Sequence, residues 1–238
     1  MSATRSRRGG PLVLENHRCQ KCGGDEVEPY EEHGGHHLGC VQCGAVHDEL
    51  LPIYRVKQLH TVVMILTNLV RSVHLKQQLS LIDPNPPLNF WRVIYGNLMD
   101  VSVLEWCKLF GSDHELNQPT HWKNVFLDHQ DFRDGLFQHL QIDQEKWDAY
   151  WTRMKTYRDG QVAHYDFSAE KKIPYFPVLD LALESSYFYY GRVVSALQQF
   201  GIVEYPHDLR KSCEEFSVSV NEIGKKALAA TAGMRAEG

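Results

Sequence analysis

The sequence predicts an all-α helical bundle preceded by a small β module, and three observations predict it. Apolar residues after position 51 recur at spacings of three and four, the period of one helix face. Prolines and glycines interrupt that pattern at intervals suited to helix ends. Residues 15–50 are different: they are rich in Gly, His, Cys and acidic side chains and lack apolar periodicity. A segment of that kind cannot bury a core of its own and needs a cross-link or a metal.

The elements follow in order. Residues 1–14, with Arg5, Arg7 and Arg8, read as a disordered basic tail, either solvated or a nucleic-acid arm. Residues 15–50 form the small module, 51–223 the bundle and 224–238 a frayed tail. Val56, Leu59, Val63, Leu66, Val70 and Val73 mark the first long helix, which the prolines of IDPNPPL stop. A second helix spans roughly 89–110, with Ile94, Leu98, Val101 and Leu104 as its stripe and Gly111 at its end. HWKNVFLDHQDFRDGLFQHL supplies one or two shorter helices. Asp143 caps the next, which places Trp147, Tyr150, Met154 and Tyr157 on one side. KKIPYFP breaks the chain, and a helix of about 176–200 starts near Pro177 and ends at Gly201. Leu209, Cys213, Phe216, Val220 and Ile223 line the last helix.

Composition narrows the function. The net charge of −5 confines any nucleic-acid contact to a local patch. The N-terminal MSATRSRRGG lacks the apolar core of a secretory signal. The longest apolar run, TVVMIL, is far below the ~20 residues of a membrane span. A cytoplasmic protein without a membrane partner is expected.

Of the six cysteines, four form two tight pairs, CQKC at 19–22 and CVQC at 40–43. Cys19, Cys22, Cys40 and Cys43 have the spacing of a closed tetrahedral Zn²⁺ site, two ligands from each turn, and a full set of four implies a structural ion. The whole module then reads as a four-cysteine zinc ribbon. A redox dithiol is the other reading, but such a pair normally sits beside a βαβ unit. Gly23 and Gly44 follow the pairs and let the backbone turn so that N–H groups can point at the sulfurs. His33, His36 and His37 lie between the pairs, either as substitute ligands or on a solvated loop. Five acidic residues in that loop argue against its gripping a phosphate backbone.

In KTYRDGQVAHYD, Arg158 and His164 stand near a helix end. Cations there are favoured by the helix dipole alone. Six residues of ideal helix set the two side chains roughly 120° apart and about 9 Å along the axis. They converge only if the helix loosens near Gly160 or if a second copy brings its own pair into the same cleft.

YRDGQVAH resembles the R-x4–6-H signature of HEPN proteins (higher eukaryotes and prokaryotes nucleotide-binding domain). GNLMDVSVLEWCKLFG and THWKNVF look like the abortive-infection-type branch of that superfamily. The similarity covers roughly 51–200, so the ribbon is an added module on a HEPN-like bundle. The resemblance implies a metal-independent endoribonuclease of toxin or defence type, acting as a homodimer whose two motifs face each other. His164 would be the general acid or base and Arg158 would stabilise charge on the phosphorane oxygens, with Asp159 as the motif's polar neighbour. RNA would be cut by its own 2′-hydroxyl, leaving a 2′,3′-cyclic phosphate and a 5′-hydroxyl. An antitoxin or other protein is the further partner this implies. The alternative is a non-catalytic HEPN-like binding module whose ribbon contacts protein or nucleic acid.

Asp100 is either exposed helix charge or a buried polar group of the site. Tyr187, Phe188, Tyr189 and Tyr190 suit core and interface packing, with base stacking as the second reading. His121 and Trp122 fit a packed and capped helix start. Cys107 and Cys213 are small core residues.

Overall fold

The computed structural model describes residues 6–7, 12–13, 18–19, 21–32, 35–48, 51–111, 118–163 and 176–234. Its helices are α1 (Leu51–Ile82), α2 (Asn89–Phe110), α3 (Trp122–Val125), α4 (His129–Leu140), α5 (Gln144–Tyr157), α6 (Asp180–Gln199) and α7 (Leu209–Thr231), and a π-helix, Arg158–Ala163, continues α5 directly. The predicted class, a helical bundle with a small N-terminal β module, is the observed one.

The small module is built on β3 (Glu26–Glu32), which pairs antiparallel with β4 (Gly35–Cys40) in a register from Val27↔Cys40 to Glu32↔Gly35. Two short strands, β1 (Ser6–Arg7) and β2 (Leu12–Val13), also pair with β3, at Glu31–Tyr30 and Val27–Glu26. The expectation of a disordered segment over 1–14 is therefore corrected at these four positions. An unpaired strand edge leaves N–H and C=O groups without partners, and nearby chain satisfies them. Val27 and Leu38 are buried and pack against Leu51 and Tyr54 of α1, so the module borrows the bundle to complete its core.

Helix α1 is central. It packs on α2, α6 and α7. That explains why Val62 and Leu69 are buried beside the predicted Leu59, Val63, Leu66, Val70 and Val73: a helix with neighbours on three sides is apolar over more than one stripe. In α2 the predicted stripe is corrected. Ile94, Leu98, Val101 and Leu104 are only half-buried, and the inner seam is Met99, Val103, Trp106 and Phe110. The two large rings decide the rotation, because Trp106 and Phe110 complete an aromatic centre with Trp147, Tyr150 and Tyr189. Trp106 donates from Nε1 to Ser185 Oγ at 3.1 Å, so the buried indole N–H is satisfied.

Asp143 caps α5 as expected, accepting from the Lys146 N–H at 2.9 Å. Trp147, Tyr150, Met154 and Tyr157 are all buried on one face. Helix α6 starts at Asp180, later than the expected 176: Pro177 keeps Phe176 out of helical backbone, and Leu179 is the capping residue, at φ −94° and ψ 3°. Gly201, at φ 76°, closes α6, with the Ile202 N–H reaching back to Leu197 O at 3.2 Å.

The last helix also departs from expectation. It runs to Thr231 rather than fraying after Ile223, and Ile223 is exposed. Its buried seam continues through Gly224 and Leu228 into a second cluster with Leu79, Leu88 and Trp91. The Trp91 indole N–H donates to Thr231 Oγ1 at 2.9 Å and ties the end down. Among the described residues, no helix is long and apolar enough to cross a membrane.

Candidate functional site

The first candidate is the cysteine cluster. Two knuckles of the same form build it. The Gly23 N–H donates to Cys19 O at 2.7 Å and the Gly44 N–H to Cys40 O at 2.8 Å. Gly23 and Gly44 lie at φ 77° and 69°, a conformation that side chains rarely adopt, which is the reason glycine follows each pair. The N–H groups of these two glycines go to carbonyls rather than to sulfur. The turn instead lets Lys21, Cys22 and Gly24 present N–H groups to the thiols.

The four sulfurs lie within 4.8 Å of one another, with Cys19 and Cys43 at 3.6 Å and Cys22 and Cys40 at 3.5 Å. A disulfide needs about 2.05 Å. A tetrahedron with ~2.3 Å arms places its sulfurs about 3.8 Å apart. The set therefore fits a four-coordinate ion. A hydrogen bond with His47 draws the Cys19 thiol down to about 6. The Gly24 N–H favours a Cys22 thiolate, yet the crowding of Cys40, Cys43 and Cys19 pushes Cys22 up to about 12. Four thiols this close cannot all ionise without a cation among them. Nothing in the sequence pattern singles out His47. His37 is turned to another task, with Nδ1 2.8 Å from Asp48 Oδ2. His33 lies outside the described residues, as does the side chain of His36.

The second candidate is the segment after Tyr157. The α-helix gives way to the π-helix at Arg158, which still has helical backbone at φ −53°, ψ −53°. Around Gly160 the helix is widened into this π turn. Single π turns are rare and occur frequently at functional sites. Arg158 is mostly covered, with 17% of its side chain exposed, and its Nε donates to Asp159 Oδ1 at 2.7 Å. One residue earlier, the Tyr157 hydroxyl donates to Asp100 Oδ1 of α2 at 2.7 Å. Burial first, and then that hydrogen bond, hold the Tyr157 phenol well above its usual range. Asp100 is thus a half-buried polar group beside the motif rather than simple exposed helix charge. His164 lies outside the described residues.

The other residues take structural roles. His121 is buried, and its ring accepts from the Lys123 N–H at 3.3 Å at the start of α3. Tyr189 and Tyr190 are buried and donate to Thr120 O and Pro206 O. Tyr187 and Phe188 are half-buried on the flanks of α6. Cys107 and Cys213 are buried.

The chain matches no protein-family model, no curated protein and no solved structure.

Proposed function

We propose that this protein is a metal-independent endoribonuclease of the HEPN type, with Arg158 and His164 as its catalytic pair. The single observation that carries the reading is the π-helix beginning at Arg158. It widens the helix at the motif, Asp159 braces the arginine, and the bond from Tyr157 to Asp100 anchors the turn before it. That arrangement suits a guanidinium that must meet a phosphate in fixed orientation.

In the reaction, the RNA 2′-oxygen forms a bond to the adjacent phosphorus while the bond from phosphorus to the 5′-oxygen breaks. His164 takes the proton from the 2′-hydroxyl or gives one to the departing 5′-oxygen. Two copies of the motif, one from each protomer of a homodimer, supply both roles. Arg158 neutralises charge on the non-bridging oxygens. DNA lacks the nucleophile and is not cut. In this reading the protein works in a toxin or defence setting in the cytoplasm, with a protein antitoxin as the partner that restrains it.

The four cysteines would hold a structural Zn²⁺. With all four positions filled by thiolates, the ion leaves no open site for substrate and serves the fold of the ribbon. Purified protein should contain one zinc per chain, lost in Cys19→Ser, as measured by metal analysis.

The decisive test is RNA cleavage in EDTA by wild type, Arg158→Ala and His164→Ala. Cleavage by wild type, lost in both variants with their helical circular dichroism intact, is the expected result. Intact RNA in every lane contradicts the reading and favours a binding module that acts through its ribbon.

A further inference from the structure

Away from the motif, α3, α4 and the first half of α5 enclose a cleft of about 190 Å³. Three of the chain's five tryptophans line it, Trp122, Trp147 and Trp151. Trp122 and Trp147 are largely buried, and Trp151 is fixed by its indole N–H, which donates to Phe110 O at 2.7 Å and Gly111 O at 3.1 Å. Arg133 and Lys123, both half-buried, also line the cleft. It carries a carboxylate as well, Asp148, which accepts from the Gln144 amide at 2.7 Å.

The volume is below the roughly 300 Å³ at which drug-sized pockets begin, so the cleft suits one flat ring system rather than a larger ligand. Its position along α5 says more. Trp151 and Arg158 are seven residues apart, two turns of helix, which puts them on nearly the same face and about 10 Å apart along the axis. Lys155 lies between them, its Nζ 4.6 Å from the centre of the Trp151 ring. Aromatic side chains beside a line of cations are how proteins hold unpaired strands: bases meet the rings and phosphates meet the cations.

We infer that this cleft is a nucleobase subsite for an RNA residue flanking the cleaved phosphate, with Arg133 on that residue's phosphate and Lys155 guiding the strand toward Arg158. The inference rests on the ribonuclease reading for its substrate, but its test separates the two. The probe is an eight-residue RNA of mixed sequence with every 2′-hydroxyl methylated, which binds but cannot be cut. Tryptophan fluorescence and fluorescence anisotropy report its binding to the full chain.

Wild type should bind the probe with quenched tryptophan emission. Arg133→Gln and Lys155→Gln should each weaken binding about tenfold, the scale of a lost charge-assisted hydrogen bond. With cleavable RNA the same variants should raise KM by a similar factor and leave kcat within about twofold. Cleavage of RNA with both variants binding as wild type overturns the subsite and leaves the ribonuclease standing. Probe binding that depends on Arg133, with no RNA ever cut, keeps the cleft as a base-binding site but overturns its place beside a cleaved phosphate and sinks the ribonuclease. No binding of the probe by wild type overturns the subsite outright.

Discussion

Arg158 sits where α5 changes character, and its neighbours determine what it can do. Asp159 fixes the guanidinium from one side, while the bond between Tyr157 and Asp100 pins the preceding residue to α2. A planar fork held in this way is not replaced by a point charge on a flexible stem. On the proposed ribonuclease function, Arg158→Lys should therefore lose most of the cleavage rate, about 10²-fold or more in kcat, with little change in thermal midpoint. A lysine variant that keeps wild-type kcat would show that only charge is needed there. Arg158, Asp159 and His164 are visible in the sequence as a short string, of which the structure describes Arg158 and Asp159. The support around Arg158 is not visible there: no local pattern links Tyr157 to Asp100, which lie on different helices and meet only once α2 and α5 have packed. His47 beside Cys19 went unseen for the same reason, since its role depends on a fold-back of the ribbon.

At the scale of elements, periodicity located helices better than it located their inner faces. The row Trp147, Tyr150, Met154 and Tyr157 was legible because most of the rest of α5 is polar, Ala149 and Trp151 aside. In α2 two apolar rows compete, and the one carrying Trp106 and Phe110 wins because large rings fill the centre. The end of α7 was missed because KKALAATAG carries few apolar side chains. Gly224 lets the helix come close to Leu79 and Ile82, where a Cβ would stand 3.0 Å from each side chain, and Leu228 then reaches the cluster around Trp91. Leu228→Ala should accordingly cost about 2 kcal/mol, read from the urea midpoint. A midpoint equal to wild type would mean that the last two turns do not contribute to the fold.

The whole molecule is an α bundle with a cysteine-knuckle module seated on the first turn of its central helix. Class and module could be seen in the sequence because each has its own pattern, a period of three to four or a paired CxxC. How they join could not, since the seam of Val27, Leu38, Leu51 and Tyr54 crosses from one pattern to the other. The bundle also stores a pH dependence. Burial raises the phenols of Tyr150, Tyr157, Tyr187, Tyr189 and Tyr190, the last to about 12. Unfolded, each ionises near pH ~10. Above that pH the unfolded chain binds fewer protons than the folded one, so stability falls as pH rises. This contribution is complete below about pH 10 and is lost as pH climbs through the folded values. Urea midpoints should decline steeply above about pH 10, with the rise in phenolate absorbance following unfolding. Phenolate absorbance appearing in full before unfolding would contradict that burial.

The function proposed for the molecule depends on RNA being cut by its own 2′-hydroxyl at a site built around Arg158. The chemistry of the new ends tests this most directly. A defined RNA incubated with the purified protein in EDTA should yield fragments carrying 2′,3′-cyclic phosphates and 5′-hydroxyls by mass spectrometry, and the same strand with methylated 2′-oxygens should survive. Fragments with 5′-phosphates, or cleavage of the methylated strand, would contradict it.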